Sequence, residues 1–230
     1  MNPDSLVDDV TGLLDVWVAG WAGCRGYRTS TEGRFPAALR ADDTGEWEFF
    51  AADPTDAEFS ELAARVSVAP GRILTILSND TARFTVLAEK HDLKVTSASQ
   101  TMMMVDMESQ DAEDPWLPDD DLELSTQEID GVHYAEVRSG DVIAASGRVF
   151  EVQSTAVFDK IVTSPDFQRR GLGSFIMRAL AAQIFGHDIT HGLLLASADG
   201  HKLYSHLGWT SVSRVLMISA DSDLGDLSLS

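Results

Sequence analysis

Residues 159–173 read DKIVTSPDFQRRGLG, and the order of residue types predicts a strand, a proline turn, a glycine-rich loop and a helix start. Gly171 and Gly173 allow close approach of the backbone to a ligand, and positive φ where a turn needs it. The unpaired N–H groups of the following first helical turn point outward with the positive end of the helix dipole. Phosphate or pyrophosphate can bind there without a lysine clamp. Arg169 and Arg170 can add charge-assisted hydrogen bonds, and with Lys160 they form a basic spot around one short loop. A bare G-x-G is often only a turn. The dinucleotide fingerprint G-x-G-x-x-G fails at Ile176, and the Walker-type pattern is absent. What remains is Q-x-x-G-x-G, set between a strand and an amphipathic helix marked by Leu172, Phe175, Ile176, Ala179 and Leu180.

Working outward, 131–138 (GVHYAEVR), 141–152 (DVIAASGRVFEV) and 154–163 (STAVFDKIVT) are β-branched or aromatic runs separated by short turns, an antiparallel meander. After the loop helix, which Gly186 stops, Leu193-Leu194-Leu195 suits a buried strand, 200–207 a brief helix and 209–219 (WTSVSRVLMIS) a final strand. The N-terminal half ends in the same order: a helix at 57–66, a strand at 72–77, a helix at 81–91 and a long strand at 94–107. Setting Ser78 against Ser197 and Met102 against Met217 gives offsets of 119 and 115 residues. That difference of four predicts a helix one turn longer in the N-terminal copy of a diverged duplication. A helix from about Ser5 to Gly23 precedes it, with Leu6, Val10, Leu13, Leu14, Trp17, Val18 and Trp21 on its apolar face. The stretch 109–121 (SQDAEDPWLPDDD), with two prolines and no periodicity, reads as a linker. The expected domains are therefore 1–108, the linker 109–121, and 122–230.

The chain has 230 residues and a formal charge of −20. A field of that sign repels phosphate backbones and anionic lipid, disfavours a nucleic-acid or membrane role, and attracts cationic amines, although it also serves plain solubility. No apolar run approaches the roughly 20 residues of a membrane span. The acidic N-terminus lacks the pattern of a signal peptide, so the expected location is cytoplasmic. A single cysteine, Cys24, excludes an internal disulfide framework and a multi-cysteine zinc site. His187, His191, His201 and His206 show no metal-ligand spacing, and no metal is expected. Alternation along a strand allows only one of His133 and Tyr134 to face an acceptor pocket.

Gln168-Arg169-Arg170-Gly171-Leu172-Gly173, after Thr163-Ser164-Pro165, resembles the [RQ]-x-x-G-x-[GA] signature of the GNAT acetyltransferase superfamily. Leu203-Tyr204-Ser205-His206-Leu207-Gly208-Trp209 is similar to that family's LYxxLGF segment, with Trp209 where Phe is usual. The resemblance covers 154–219 well and the chain before about 130 poorly. It implies an acyl-CoA N-acyltransferase fold: α/β (α+β), a mixed, mostly antiparallel central sheet flanked by helices, here as two GNAT-like halves. It further implies that Gln168 through Ser174, including Leu172, hold the pyrophosphate of acetyl-CoA, while Ile161, Val162 and Thr163 receive the pantetheine arm as an added strand. A splay between that strand and Leu193–Leu195 would admit the thioester. Tyr204 takes the place of the family's proton donor to the leaving thiolate.

The general base is open at this stage between Asp159, Glu151 and water, with Asp159 on the same strand face as Ile161. The expected activity is acetyl transfer from acetyl-CoA to a primary amine of a small, cationic substrate by direct transfer. The alternatives are a non-catalytic acyl-CoA-binding or scaffold protein, and acetylation of a protein amine. Use of charged tRNA is disfavoured by the charge and the intact loop, and a homodimer is left open. In the N-terminal half, Pro54-Thr55-Asp56-Ala57-Glu58-Phe59 carries no such loop, and its acidic residues oppose a pyrophosphate. The run Met102-Met103-Met104 reads as core filling.

Overall fold

A computed structural model describes residues 10–41, 43–110, 116–117 and 119–220. Helices are α1 (Val10–Arg25), α2 (Asp56–Val66), α3 (Thr81–Lys90), α4 (Leu172–Gln183) and α5 (Ala198–His206). Strands are β1 (Arg28–Glu32), β2 (Phe35–Leu39), β3 (Trp47–Ala52), β4 (Ile73–Leu77), β5 (Lys94–Asp106), β6 (Leu122–Ile129), β7 (Val132–Ser139), β8 (Val142–Val152), β9 (Thr155–Thr163), β10 (His191–Ala196) and β11 (Thr210–Ser219). The fold is mixed α/β, with a mostly antiparallel sheet flanked by helices. None of the described helices is long and apolar enough to cross a membrane.

The chain forms two compact units. One runs to Met102 and resumes at Ser211, and the other spans Met103–Thr210. In the first, the strand order is β1-β2-β3-β4-β11-β5, with β3 and β4 parallel across α2. Its core joins Phe49, Phe59, Leu62, Leu74, Ile76 and Phe84 to Leu216 and Ile218 of β11. Burial of Leu13, Leu14, Trp17, Val18 and Trp21 makes one face of α1 apolar. Trp17 stacks on Trp21 at 5.5 Å, and both meet the edge of Phe50. In the second unit the order is β5-β10-β9-β8-β7-β6, with β9 and β10 parallel across α4. Its core gathers Val137, Val149, Phe158, Ile176, Leu180, Leu194, Tyr204 and Trp209.

The repeated order β-α-β-α-β is present twice, as β3 to β5 and as β9 to β11. The extra residues of the first copy do not form an added helical turn, however: α3 has 10 residues and α5 has 9. They are spread instead. Ser78, Asn79 and Asp80 separate β4 from α3, where Ser197 alone separates β10 from α5. The last strand of the chain also departs from the simplest reading. Ser211 to Ser219 belong to the first unit, where β11 pairs antiparallel with β4 from Val215↔Leu77 to Ile218↔Leu74.

Strands β1, β2 and β6 escape the sequence reading for physical reasons, and the apolar β3 (WEFFAA) escapes it as well. β1 (RTSTE) is polar, β2 (FPAAL) contains a proline, and β6 (LELSTQEI) buries only Leu122. At the start of the proposed linker, Ser109 ends a 3-10 turn (Met107–Ser109) and Gln110 Nε2 donates to the Leu207 carbonyl at 3.1 Å. Residues 111–115 and 118 lie outside the described residues, as do 5–9 of the expected first helix.

The first unit encloses a polar cluster. Arg40 and Glu48 are 1% and 0% exposed and pair at 3.2 Å, while the Thr75 hydroxyl donates to the other Glu48 oxygen at 2.6 Å. Burial pushes the Glu48 carboxyl up, and Arg40 and the Thr75 bond pull against it. Replacing Glu48 by Ala removes the buried partner of Arg40, which keeps Asp43 at 3.1 Å, and leaves the buried Thr75 hydroxyl without its acceptor. A loss of about 1–3 kcal/mol is expected, measured by urea unfolding of the full chain.

Candidate active site

The loop of residues 164–171 follows β9 and enters α4. A 3-10 turn at Pro165–Phe167 leads out of the strand. Arg169 (φ 62) and Gly171 (φ 80, the N-cap of α4) both lie in the left-handed region. Such a turn directs successive N–H groups to one side and forms an anion-binding concavity. No side chain caps α4, so the first-turn donors face outward, as the motif requires. A Cβ on Gly171 would meet nothing within 4 Å, so glycine is needed there for its φ. At Gly173 a Cβ would approach Leu203 Cδ2 to 3.0 Å, so any larger residue there requires the Leu203 side chain to give way. Arg170 is already engaged: it pairs with Asp119 and stands over the Phe167 ring at 5.3 Å. Both partners are substantially exposed, and such a pair contributes about 0–1 kcal/mol, so an anion can compete for it.

Strand β9 carries a bulge. Ser146 pairs with Val162 and Arg148 with Asp159, leaving Lys160 (φ 54) and Ile161 opposite Gly147. A Cβ on Gly147 would fall 2.5 Å from Ile161 Cδ1 and 2.6 Å from Ile176 Cγ2. The absence of a side chain at this position therefore lets β8, β9 and α4 close on one another. The parallel register between β9 and β10 runs from Thr155↔His191 to Val157↔Leu193. Phe158 to Thr163 and Leu194 to Ala196 lie beyond its last pair, where the two strands part. Val162, at 43% exposure, is the most open residue of this stretch.

Tyr204 is buried on α5. Its phenol is raised well above the usual tyrosine range, first by burial and then by the Asp159 charge. That coupling brings together the two residues assigned to chemistry. Asp159 is buried, and Arg148 holds its Oδ2 through Nη2 at 2.9 Å and Nε at 3.1 Å. The effect on Tyr204 is to keep it a neutral phenol, a donor rather than a base. Arg148 also lines a cleft of about 310 Å³ with Ser125, Gln127, Tyr134, Glu136 and Lys160. Alternation is thereby resolved at β7, where Tyr134 lines this cleft and His133 points away from it. Glu151, the other carboxylate considered, is bound up with His133 and His187. Sequence spacing gave no signal for that cluster, because its members are distant in the chain.

Residues 101–209 match the model of the acetyltransferase (GNAT) family. No curated protein matches the chain. Among solved structures, a GCN5-related N-acetyltransferase from Kribbella flavida is similar at TM-score 0.65 and 13% identity, over 90% of this chain and 94% of that one. A tandem GNAT protein from the clavulanic acid biosynthesis pathway is similar at TM-score 0.56 and 12% identity, over 94% and 95%. A GCN5-related N-acetyltransferase from Sphaerobacter thermophilus is similar at 0.55 and 10%, over 80% and 75%. Residues 101–209 are thus similar to the GNAT family, within a fold shared over most of the chain's length with a tandem GNAT protein.

In the first unit the helix equivalent to α4 is α2, and its N-terminus is closed by its own side chains. Thr55 accepts from the Glu58 N–H, and the Glu58 carboxylate accepts from the Thr55 N–H at 2.8 Å, a capping box. Arg34 Nε donates to Glu58 at 2.7 Å. These contacts, that of Arg34 foremost, hold the Glu58 carboxyl at about 2 against the ordinary 4.5. Because the folded value is depressed, the capping contribution is present above about pH 4.5 and fades as pH falls through about 2. A carboxyl titration by NMR is expected to give a Glu58 midpoint near 2, returning toward 4.5 in Arg34→Ala. An ordinary midpoint in the unaltered protein would refute the pairing.

Proposed function

We propose that the GNAT domain at 101–209 works as an acetyl-CoA-dependent N-acetyltransferase that transfers acetyl directly to a primary amine of a small, cationic acceptor. The observation that carries this reading is the uncapped α4 N-terminus behind the left-handed Arg169 and Gly171, set at the end of β9 where β9 and β10 part. The backbone amides of Gln168 to Ser174 would hold the pyrophosphate, and Ile161, Val162 and Thr163 the pantetheine arm. When bound, acetyl-CoA supplies the activated thioester. Tyr204 holds its proton and delivers it to the departing sulfur as the carbon–sulfur bond breaks. Asp159, oriented by Arg148 through Oδ2, is the proposed acceptor for the proton that the amine loses as the carbon–nitrogen bond forms.

The cleft beside Arg148 is the proposed acceptor site. It is mixed in charge, so the preference for a cation rests on the −20 charge of the whole chain. The same reading assigns a cytoplasmic location and a small-molecule partner, with no nucleic-acid or membrane role.

Mixing the protein with acetyl-CoA and a panel of amines, including peptide amines, is expected to release thiol with the small amines. Release with peptides alone would move the acceptor to a protein, and no release with any amine would leave an acyl-CoA-binding scaffold. Gly171→Glu is expected to abolish acetyl-CoA binding in calorimetry, since it sets a negative charge against the pyrophosphate. Its left-handed backbone costs about 1–2 kcal/mol, so the fold should persist by circular dichroism. Tyr204→Phe is expected to lower kcat by roughly 10²–10⁴ with KM for acetyl-CoA little changed. Undiminished turnover would remove Tyr204 from the mechanism.

A further inference from the structure

His133 of β7, Glu151 of β8 and His187, beyond the end of α4, converge from three separate elements. Glu151 Oε1 lies 3.3 Å from His133 Nε2 and 2.6 Å from His187 Nδ1. The three donor atoms all fall within 4.8 Å of one another. His133 is nearly buried, while His187 opens the cluster to solvent, with side chains 9% and 46% exposed. Without an ion, both contacts require a proton on the imidazole nitrogen facing the same oxygen. A cation can take the place of those protons. Two imidazole nitrogens and one carboxylate form a donor set suited to zinc-like ions, with an open fourth position. Ligand bonds of about 2.1 Å set donors about 3.4 Å apart in a tetrahedron. The His133–Glu151 separation already has that value, and the exposed His187 is the ligand able to move.

We propose that His133, Glu151 and His187 form a binding site for a first-row divalent cation of the zinc class. The site is separate from the proposed acetyl-transfer chemistry. Glu151 pairs with Ala156, about 10 Å before Asp159 along β9 at about 3.3 Å per residue, and the glycine loop lies farther on, past the end of that strand. His133 faces away from the cleft that Tyr134 lines. Its effect is to tie the C-terminal end of α4 to β7 and β8, the same helix whose N-terminus enters from the glycine loop.

The test uses the untagged full chain after treatment with a chelator, titrated with Zn²⁺ by calorimetry and with Co²⁺ by visible absorption. One ion per chain is expected, with a rise in Tm. His187→Ala, on the exposed side, and Glu151→Gln, which keeps a hydrogen-bonding oxygen, should each weaken Zn²⁺ binding at least tenfold. Asp188→Asn should leave it unchanged. His133→Ala should do the same as His187→Ala if it folds; if it does not, the other two variants decide. Absence of binding, or equal affinity in the unaltered chain, His187→Ala and Glu151→Gln, overturns the proposal.

Discussion

Three backbones crowd together at Gly147, and the candidate site takes its shape from that crowding. Ile161 from β9 and Ile176 from α4 fill the space a side chain would occupy. The bulge at Lys160 and Ile161 lies opposite the same glycine. Close packing makes these positions interdependent, because interiors offer few voids into which an extra methyl can go. The bulge sets how β9 leaves the sheet, α4 sits against that stretch, and the loop between them inherits its geometry from both. Tyr204 then feels the Asp159 charge beside the stretch of β9 that keeps its pairing with β8 but lies beyond its last pair with β10.

The two units show how one supersecondary order can be opened or closed to an anion by its helix start. In α4, the N-cap is a left-handed glycine with no side-chain acceptor. In α2, Thr55 and Glu58 satisfy the donors internally, and Arg34 holds the carboxylate in place. The donors that could face a phosphate in one unit are already spoken for in the other. The difference needs only a few residues at the strand-to-helix turn, while the sheet and core beneath follow the same plan.

Much of this was legible in the sequence because it depends on local rules. The loop, α4 and α5 declare themselves through glycines and apolar periodicity, and helix and strand bounds from 154 to 219 differ little from the reading. What escaped depends on partners remote in the chain. The β6 strand has almost no buried face, so period-2 patterning could not mark it. The origin of the four extra residues was misplaced, because an offset in sequence counts residues and cannot tell one added helical turn from additions spread over the connection, the helix and the strand. The Asp159–Arg148 pair, and the cluster of His133, Glu151 and His187, join residues whose spacing carries no motif. The β7–β8–β9 register brings the strand members together, and the segment after α4 adds His187.

The placement of β11 has a consequence for how the chain is made. Thr75 pairs with Met217, so the first unit's sheet is completed by residues synthesised after the whole of 103–210. Closing so long a loop is entropically slow, and until it happens Leu74 and Ile76 lack the Leu216 and Ile218 they pack with. The first unit therefore cannot complete its sheet until the segment after the second unit is available. The sheet edge of β4 must stay in a protected or soluble form throughout that interval.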